Sequence, residues 1–231
     1  MYSGSGGSFR LATNGPDRVY SVAEGGTGRT VGCPGGASCA VLVPQRKIVQ
    51  AFGPHAYWLG GAGVERCAIT GCPGGPDAVG DAPAGATSLR VDASGVYLLY
   101  PSMVGRIPTG GVFEVLAPLT GAIELGVNAT RVFVQTAAGF VSCAKTGCGG
   151  AATDYLSTSS ARFFVVDDAN LHWIAADGTL SSCAANAATC SSPTAIVTIP
   201  TGPTIPPFGC LAQDAKNLYI GRYRGIDVFS K

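Results

Sequence analysis

The chain has 231 residues, 46% of them apolar and only 13% charged, so it holds ample material for a core and too little charge for a disordered polymer. Its 15 basic and 14 acidic residues are scattered and give a net charge of +1. That excludes the basic footprint a nucleic-acid partner requires.

No apolar run reaches the roughly 18 residues of a membrane-spanning helix. The opening segment, Met1-Tyr-Ser-Gly-Ser-Gly-Gly-Ser, has neither the basic nor the apolar part of a secretion signal. Residues 1–7 read as a flexible tail, and 8–231 as one domain.

In chain order, strands are predicted at 9–13, 18–23, 29–33 and 39–43, separated by turn residues such as Asn14-Gly-Pro-Asp17. These four are strands a to d of a first repeat. A second follows at 47–52, 56–59, 63–67 and 77–79. The third has its a strand at 88–92, a b strand around Tyr97, and c and d strands at 104–108 and 112–117. The fourth occupies 122–127, 132–136, 140–143 and 154–156. In the fifth (162–166, 171–175, 179–183 and 195–199), the run Arg162-Phe-Phe-Val-Val166 fits a strand buried on both faces. An insertion at 201–207 holds three prolines and reads as a loop. The sixth repeat has 208–212, 218–223 and 226–229, and lacks a d strand.

One aromatic position aligns the repeats: Tyr20, Tyr57, Tyr97, Phe133, His172 and Tyr219, at intervals of 37, 40, 36, 39 and 47 residues. A period near 40 made of short strands is the signature of a propeller blade or of a solenoid unit, and the solenoid is the alternative, which would normally use a shorter coil and capped ends. The predicted fold is therefore all-β, a β-propeller of about six blades of four antiparallel strands, with the last blade incomplete. Residues 226–229 are expected as the outermost strand of a three-stranded blade. The Gly- and Ser-rich residues 1–7 are poor material for the missing strand, and an upstream segment is expected to be absent from the chain.

An Asp or Asn precedes most b strands: Asn14, Asp92, Asn128, Asp167 and Asp214. Each reads as an Asx-turn, whose side-chain oxygen accepts a backbone N–H two residues on. Calcium would need six or more oxygens where each repeat offers one or two, so no metal site is predicted. Asn128-Ala-Thr130 matches a glycosylation sequon and is read as the same turn.

Nine cysteines fall as Cys33/Cys39, Cys67/Cys72, Cys143/Cys148 and Cys183/Cys190, with Cys210 left over. Four close pairs at one place in the repeat predict a disulfide across each c-to-d hairpin, since equivalent turns on different blades cannot converge on one zinc ion. Cys210 is expected to be a small buried residue. Such a framework points to an oxidising, extracytoplasmic location.

His172 replaces an aromatic residue and reads as packing. No nucleophile elbow, zinc-protease motif, P-loop or dinucleotide fingerprint is present, so no catalytic residue, metal or cofactor is predicted.

The segments Asp92-Ala-Ser-Gly-Val-Tyr97, Ala56-Tyr-Trp58, Leu171-His-Trp173 and Asn217-Leu-Tyr219 resemble the NHL and YWTD-like β-propeller superfamily. The hairpins Cys67-Ala-Ile-Thr-Gly-Cys72 and Cys143-Ala-Lys-Thr-Gly-Cys148 are similar to those of uncharacterised secreted or lipoprotein propellers of bacteria. The resemblance implies a scaffold rather than a reaction. The expected function is recognition of a protein, glycan or small ligand at one face. The alternative is a lyase or hydrolase with its site at the central channel. The binding face is expected at the b-to-c and d-to-a loops, with Tyr100, Met103, Arg222, Tyr223 and Arg224 as contact residues.

Overall fold

The computed structural model describes residues 9–14, 17–24, 27–35, 38–44, 49–61, 63–158, 161–200, 210–222 and 225–231, apart from the side chains of residues before 30 and of 43, 44, 222 and 225. The first sheet is β1 (Phe9–Asn14), β2 (Asp17–Glu24), β3 (Thr27–Cys33) and β4 (Ala40–Pro44). The second is β5 (Val49–Phe52), β6 (His55–Leu59), β7 (Gly63–Ala68) and β8 (Asp77–Asp81). The third is β9 (Ser88–Asp92), β10 (Gly95–Tyr100), β11 (Met103–Pro108) and β12 (Glu114–Pro118).

β13 (Ala122–Val127), β14 (Arg131–Thr136), β15 (Gly139–Ala144) and β16 (Thr153–Ser157) make the fourth sheet. β17 (Ala161–Val166), β18 (Asn170–Ala175), β19 (Thr179–Ala184) and β20 (Thr194–Thr198) make the fifth. The last holds β21 (Cys210–Gln213), β22 (Asn217–Arg222) and β23 (Gly225–Ser230), three strands among the described residues. Every sheet is an antiparallel meander in sequence order. Residues 1–7 lie outside the described residues.

Each ladder between the third and fourth strands shifts register at one place: Thr30/Val31, Val64/Glu65, Val104/Gly105, Phe140/Val141 and Leu180/Ser181. A bulge there adds local twist and bends the outer strand. Five independent sequences reach the same geometry, so the bulge belongs to the repeat.

The chain divides into two compact units, 1–119 and 120–231. In the first, Leu42 packs with Ala56, Trp58 and Ile69 between the first two sheets, and Tyr57, Val64, Leu89, Leu98 and Ile107 fill the space between the second and third. In the second unit, Phe140 meets Phe164 and Trp173, with ring centroids 5.2 and 5.9 Å apart. Leu180 packs there with Leu211, Leu218 and Ile220.

A second strand lies between two sheet neighbours with both faces covered, which is why Gly95-Val-Tyr-Leu-Leu-Tyr100 is buried along its whole length. The run at 162–166 does not behave this way. As the first strand of its sheet it is mostly half-buried, and only Phe164 is fully so. The continuously buried strand of that repeat is β18.

Register also corrects the alignment of the first repeat. Ala56, Val132 and Leu171 pair with Cys67, Cys143 and Cys183, each one residue ahead of the aromatic position. In the first repeat Arg18 pairs with Cys33, so Val19 rather than Tyr20 holds that position. It stands five residues after Asn14, as Tyr97 stands after Asp92.

The four predicted disulfides are present, Cys33–Cys39, Cys67–Cys72, Cys143–Cys148 and Cys183–Cys190, with Cα atoms 4.1, 5.6, 5.0 and 5.9 Å apart. In the third sheet, which has no cysteine, Arg106 Nε donates to Glu114 Oε1 at 2.7 Å and ties strand three to strand four. Cys210 is free and exposed, not buried as its place in a first strand suggests. A first strand that is half open gives its side chains less cover than a second strand has.

Candidate functional site

Each meander has two ends, one carrying the first-to-second and third-to-fourth turns, the other the second-to-third turn and the connector to the next sheet. The first end is pinned by side chains. Asp92 Oδ1 accepts from Ser94 N at 2.8 Å, and Asn128 Oδ1 from Thr130 N and Arg131 N at 3.0 and 2.8 Å. Asp167 Oδ1 accepts from Ala169 N and Asn170 N at 2.9 and 2.8 Å. Asp214 Oδ1 accepts from Lys216 N and Asn217 N, both at 2.7 Å. These are the predicted Asx-turns; the side chain of Asn14 lies outside the described residues. Asn128 is buried and its Nδ2 donates to Asp167 O at 3.3 Å, so the sequon serves the turn. Among the described residues no cluster of His, Cys, Asp or Glu is arranged to hold a metal ion.

Adjacent turns are also tied together. Ala129 N donates to Asp168 Oδ1 at 2.6 Å, and Tyr155 OH to Ala184 O at 2.7 Å. Both link the fourth sheet to the fifth at this end.

On the same end of the second unit lies a shallow cleft of about 480 Å³, lined by Asp167, Asp168, Gln213, Asp214 and Lys231 with the small residues Ala169 and Ala215. Lys231 Nζ donates to Asp167 Oδ2 at 2.6 Å. Burial pushes the Asp167 carboxyl upward, but the Lys231 ammonium and the N–H groups of Asn170 and Ala169 outweigh it and hold the pKa below the ordinary value. The cleft was not foreseen. Its signal in sequence is the pairing of Asp167 with Asp168 and of Gln213 with Asp214 at equivalent turns, which becomes visible only once the two turns are known to be neighbours.

At the opposite end the predicted contact residues separate. Tyr100 is buried, with its hydroxyl donating to Pro83 O at 3.0 Å and its ring edge-on to Phe113 at 5.9 Å. Burial raises its pKa. It therefore supports the connector between the second and third sheets. The reason is its place at the end of β10, the strand covered on both faces. Met103 is half-buried against the core of the first unit. Pro101 and Ser102 are the exposed residues of that turn. Arg222 is the last residue of β22; its side chain, Tyr223, Arg224 and the 201–207 loop lie outside the described residues.

His172 is buried, and neither ring nitrogen has a hydrogen-bond partner. It packs as expected of the aromatic position. No helix among the described residues is long and apolar enough to cross a membrane.

No protein-family model and no curated protein matches the chain. Solved structures do. PorZ of Porphyromonas gingivalis, described as an essential bacterial surface component of the type-IX secretion system, is 11% identical with a TM-score of 0.61 over 96% of this chain. This chain spans 32% of that one, about a third of its length. BamB from Moraxella catarrhalis is 13% identical with a TM-score of 0.53, over 95% of this chain and 80% of its own. YCF48 from Cyanidioschyzon merolae is 10% identical with a TM-score of 0.65, over 92% and 77%. All three are β-propeller proteins. The fold of the chain is thus an all-β propeller built of four-stranded sheets, with three strands in the last sheet among the described residues.

Proposed function

We propose that residues 8–231 act as one extracytoplasmic β-propeller module that recognises a protein, glycan or small ligand at the end of its sheets opposite the Asx-turns. The observation that carries this reading is the division of labour between the two ends. Four Asx-turns and four disulfides fix one end of the sheets, and the second-to-third turns and connectors are left to vary. Loops on a rigid frame are where recognition resides. The disulfides support a location outside the cytoplasm, as does the description of PorZ as a surface component. The finer likeness to NHL and YWTD-like propellers rests on Asp92-Ala-Ser-Gly-Val-Tyr97, Ala56-Tyr-Trp58, Leu171-His-Trp173 and Asn217-Leu-Tyr219, and that to secreted or lipid-anchored bacterial propellers on the hairpins 67–72 and 143–148.

With Tyr100 assigned to the core, the contact set reduces to Met103, Arg222, Tyr223 and Arg224, beside the exposed Pro101 and Ser102. The test is cross-linking of the tagged chain in its native envelope, repeated with Tyr223→Ala and Arg224→Ala. Loss of the cross-linked species in both variants, with melting unchanged, supports the assignment. An unaltered cross-linking pattern would remove this end from consideration.

A further inference from the structure

The last strand is where the molecule departs from its own repeat. In each of the other five sheets the third strand is paired on both sides. The residue just ahead of its register shift, Thr30, Val64, Val104, Phe140 or Leu180, is 1% exposed or less. Ile226 holds that position in the last sheet, opposite Gly221 as Phe140 is opposite Gln135 and Val104 opposite Leu99. Yet Ile226 is 67% exposed, and Val228, two residues along on the same face, is 55% exposed. Among the described residues no strand pairs with the outer side of β23.

The five complete sheets show what this place takes. Each outer strand is five residues long and antiparallel, and sets Val43, Gly80, Ala117, Leu156 or Val197 across from the position of Ile226. Four of those five outer strands are themselves blunted, by Pro44, by Asp77 with Asp81, by Glu114 with Pro118, and by Asp154, the usual guards against further pairing. β23, Gly-Ile-Asp-Val-Phe-Ser, carries no proline or lysine, and Asp227 is its one charge. Residues 1–8, with three glycines and three serines, have a composition unlike that of the five outer strands.

We propose that β23 pairs antiparallel with β23 of a second copy of this chain, joining two three-stranded sheets across a two-fold axis at Val228. In that register Val228 faces its own counterpart, Asp227 lies opposite Phe229, and Ile226 opposite Ser230. A pairing centred on Asp227 would set two carboxylates directly across from each other, which is unfavourable. The two-fold axis puts Ile226 and Val228 of both chains on one face, where they form a single apolar patch and cover one another. A closed, isologous contact of this kind needs only one self-complementary strand. The net charge of +1 offers little repulsion between copies.

The experiment is sedimentation equilibrium of the whole chain carrying Cys210→Ser, so that the free thiol cannot link copies by itself. The expected result is a reversible dimer. Ile226→Lys and Val228→Lys each weaken it at least tenfold, while Val112→Lys, at a still more exposed residue in the turn between β11 and β12, does not. Val228→Cys in the Cys210→Ser background then oxidises to a covalent dimer. Both lysine substitutions fall at exposed positions, and an unchanged thermal transition confirms that they fold. A chain that stays monomeric up to about 1 mM overturns the proposal, as does a dimer indifferent to Ile226→Lys. The measurement reads mass, so its outcome is independent of whether Tyr223 and Arg224 contact a ligand.

Discussion

The Tyr219 hydroxyl donates to Asp214 Oδ2 at 2.5 Å, so the aromatic position of the last repeat and the turn carboxylate five residues before it act as one unit. Tyr97 makes the corresponding contact in the third repeat with Ser94 Oγ, 2.7 Å away, while that hydroxyl also contacts Asp92 Oδ1 at 2.6 Å. The repeat thus links strand and turn through a hydroxyl. This hydrogen bond, with those from Lys216 N and Asn217 N, holds the Asp214 carboxyl down at about 2.

A depressed carboxylate contributes stability that is present above its unfolded value, near 3.9, and is lost as pH falls through the folded one. A carbon-detected NMR titration should place Asp214 at about 2. Tyr219→Phe should raise the midpoint toward the ordinary value while leaving the Asx-turn N–H bonds in place. No movement on that substitution would show that the hydroxyl is not the main cause.

In the fifth repeat an imidazole replaces the phenol. His172 has no hydrogen-bond partner, and Asp167 Oδ2 takes Lys231. Burial is the chief cause of a lowered His172 pKa; the Asp167 carboxylate opposes it and the Lys231 ammonium adds to it. The buried ring is therefore neutral at pH 7. Its contribution to stability is present above about 6.5 and declines as pH falls through the lower folded value. His172→Phe, which copies Phe133, removes two buried unpaired nitrogens and should stabilise the fold by about 1–3 kcal/mol. Urea unfolding at pH 7 and pH 5 checks this: the wild type should lose more stability on acidification than the variant.

Thiol counting under denaturing, non-reducing conditions should report one free thiol per chain, from Cys210. Peptide maps should link cysteines only within repeats. Removing any one pair as Cys→Ser should cost about 2 kcal/mol by the chain-entropy estimate for such short loops. Nine titratable thiols would remove the argument for an oxidising compartment.

Gly139 opens β15 with φ of +142°, and a Cβ there would meet Leu156 O at 2.0 Å. Gly139→Ala should therefore destabilise by more than about 1 kcal/mol, because both the backbone angle and the neighbouring carbonyl oppose a side chain. Gly147→Ala is the control for the angle alone, since φ is +121° and its Cβ would meet nothing within 4 Å. A chemical denaturation series ranks the two, and Gly139→Ala should be the more damaging.

Much of this architecture was legible because it is local. Period, turn chemistry and cysteine spacing are all written within about ten residues, and they predicted the meanders, the Asx-turns at Asp92, Asn128, Asp167 and Asp214, and all four disulfides. What escaped depends on neighbours distant in sequence. Tyr100 looks like a loop-end aromatic until Phe113 and Pro83 are seen to enclose it. In the first repeat Tyr20 is the aromatic residue, whereas strand register gives the position to Val19. The cleft beside Lys231 arises only where the turns of the fifth and sixth repeats meet, and no single repeat contains it.

The meander order has a kinetic consequence. Every ladder among the described residues joins strands consecutive in the sequence, so a sheet can form without waiting for distant parts of the chain, the condition for rapid folding at low contact order. The same holds for oxidation. Partner cysteines stand 5 to 7 residues apart, whereas even the nearest cysteines of different repeats, Cys190 and Cys210, are separated by 20 positions. Closing the longer loop costs more entropy. Each nascent hairpin thus meets its own thiol first, and proximity along the chain favours the native pairing.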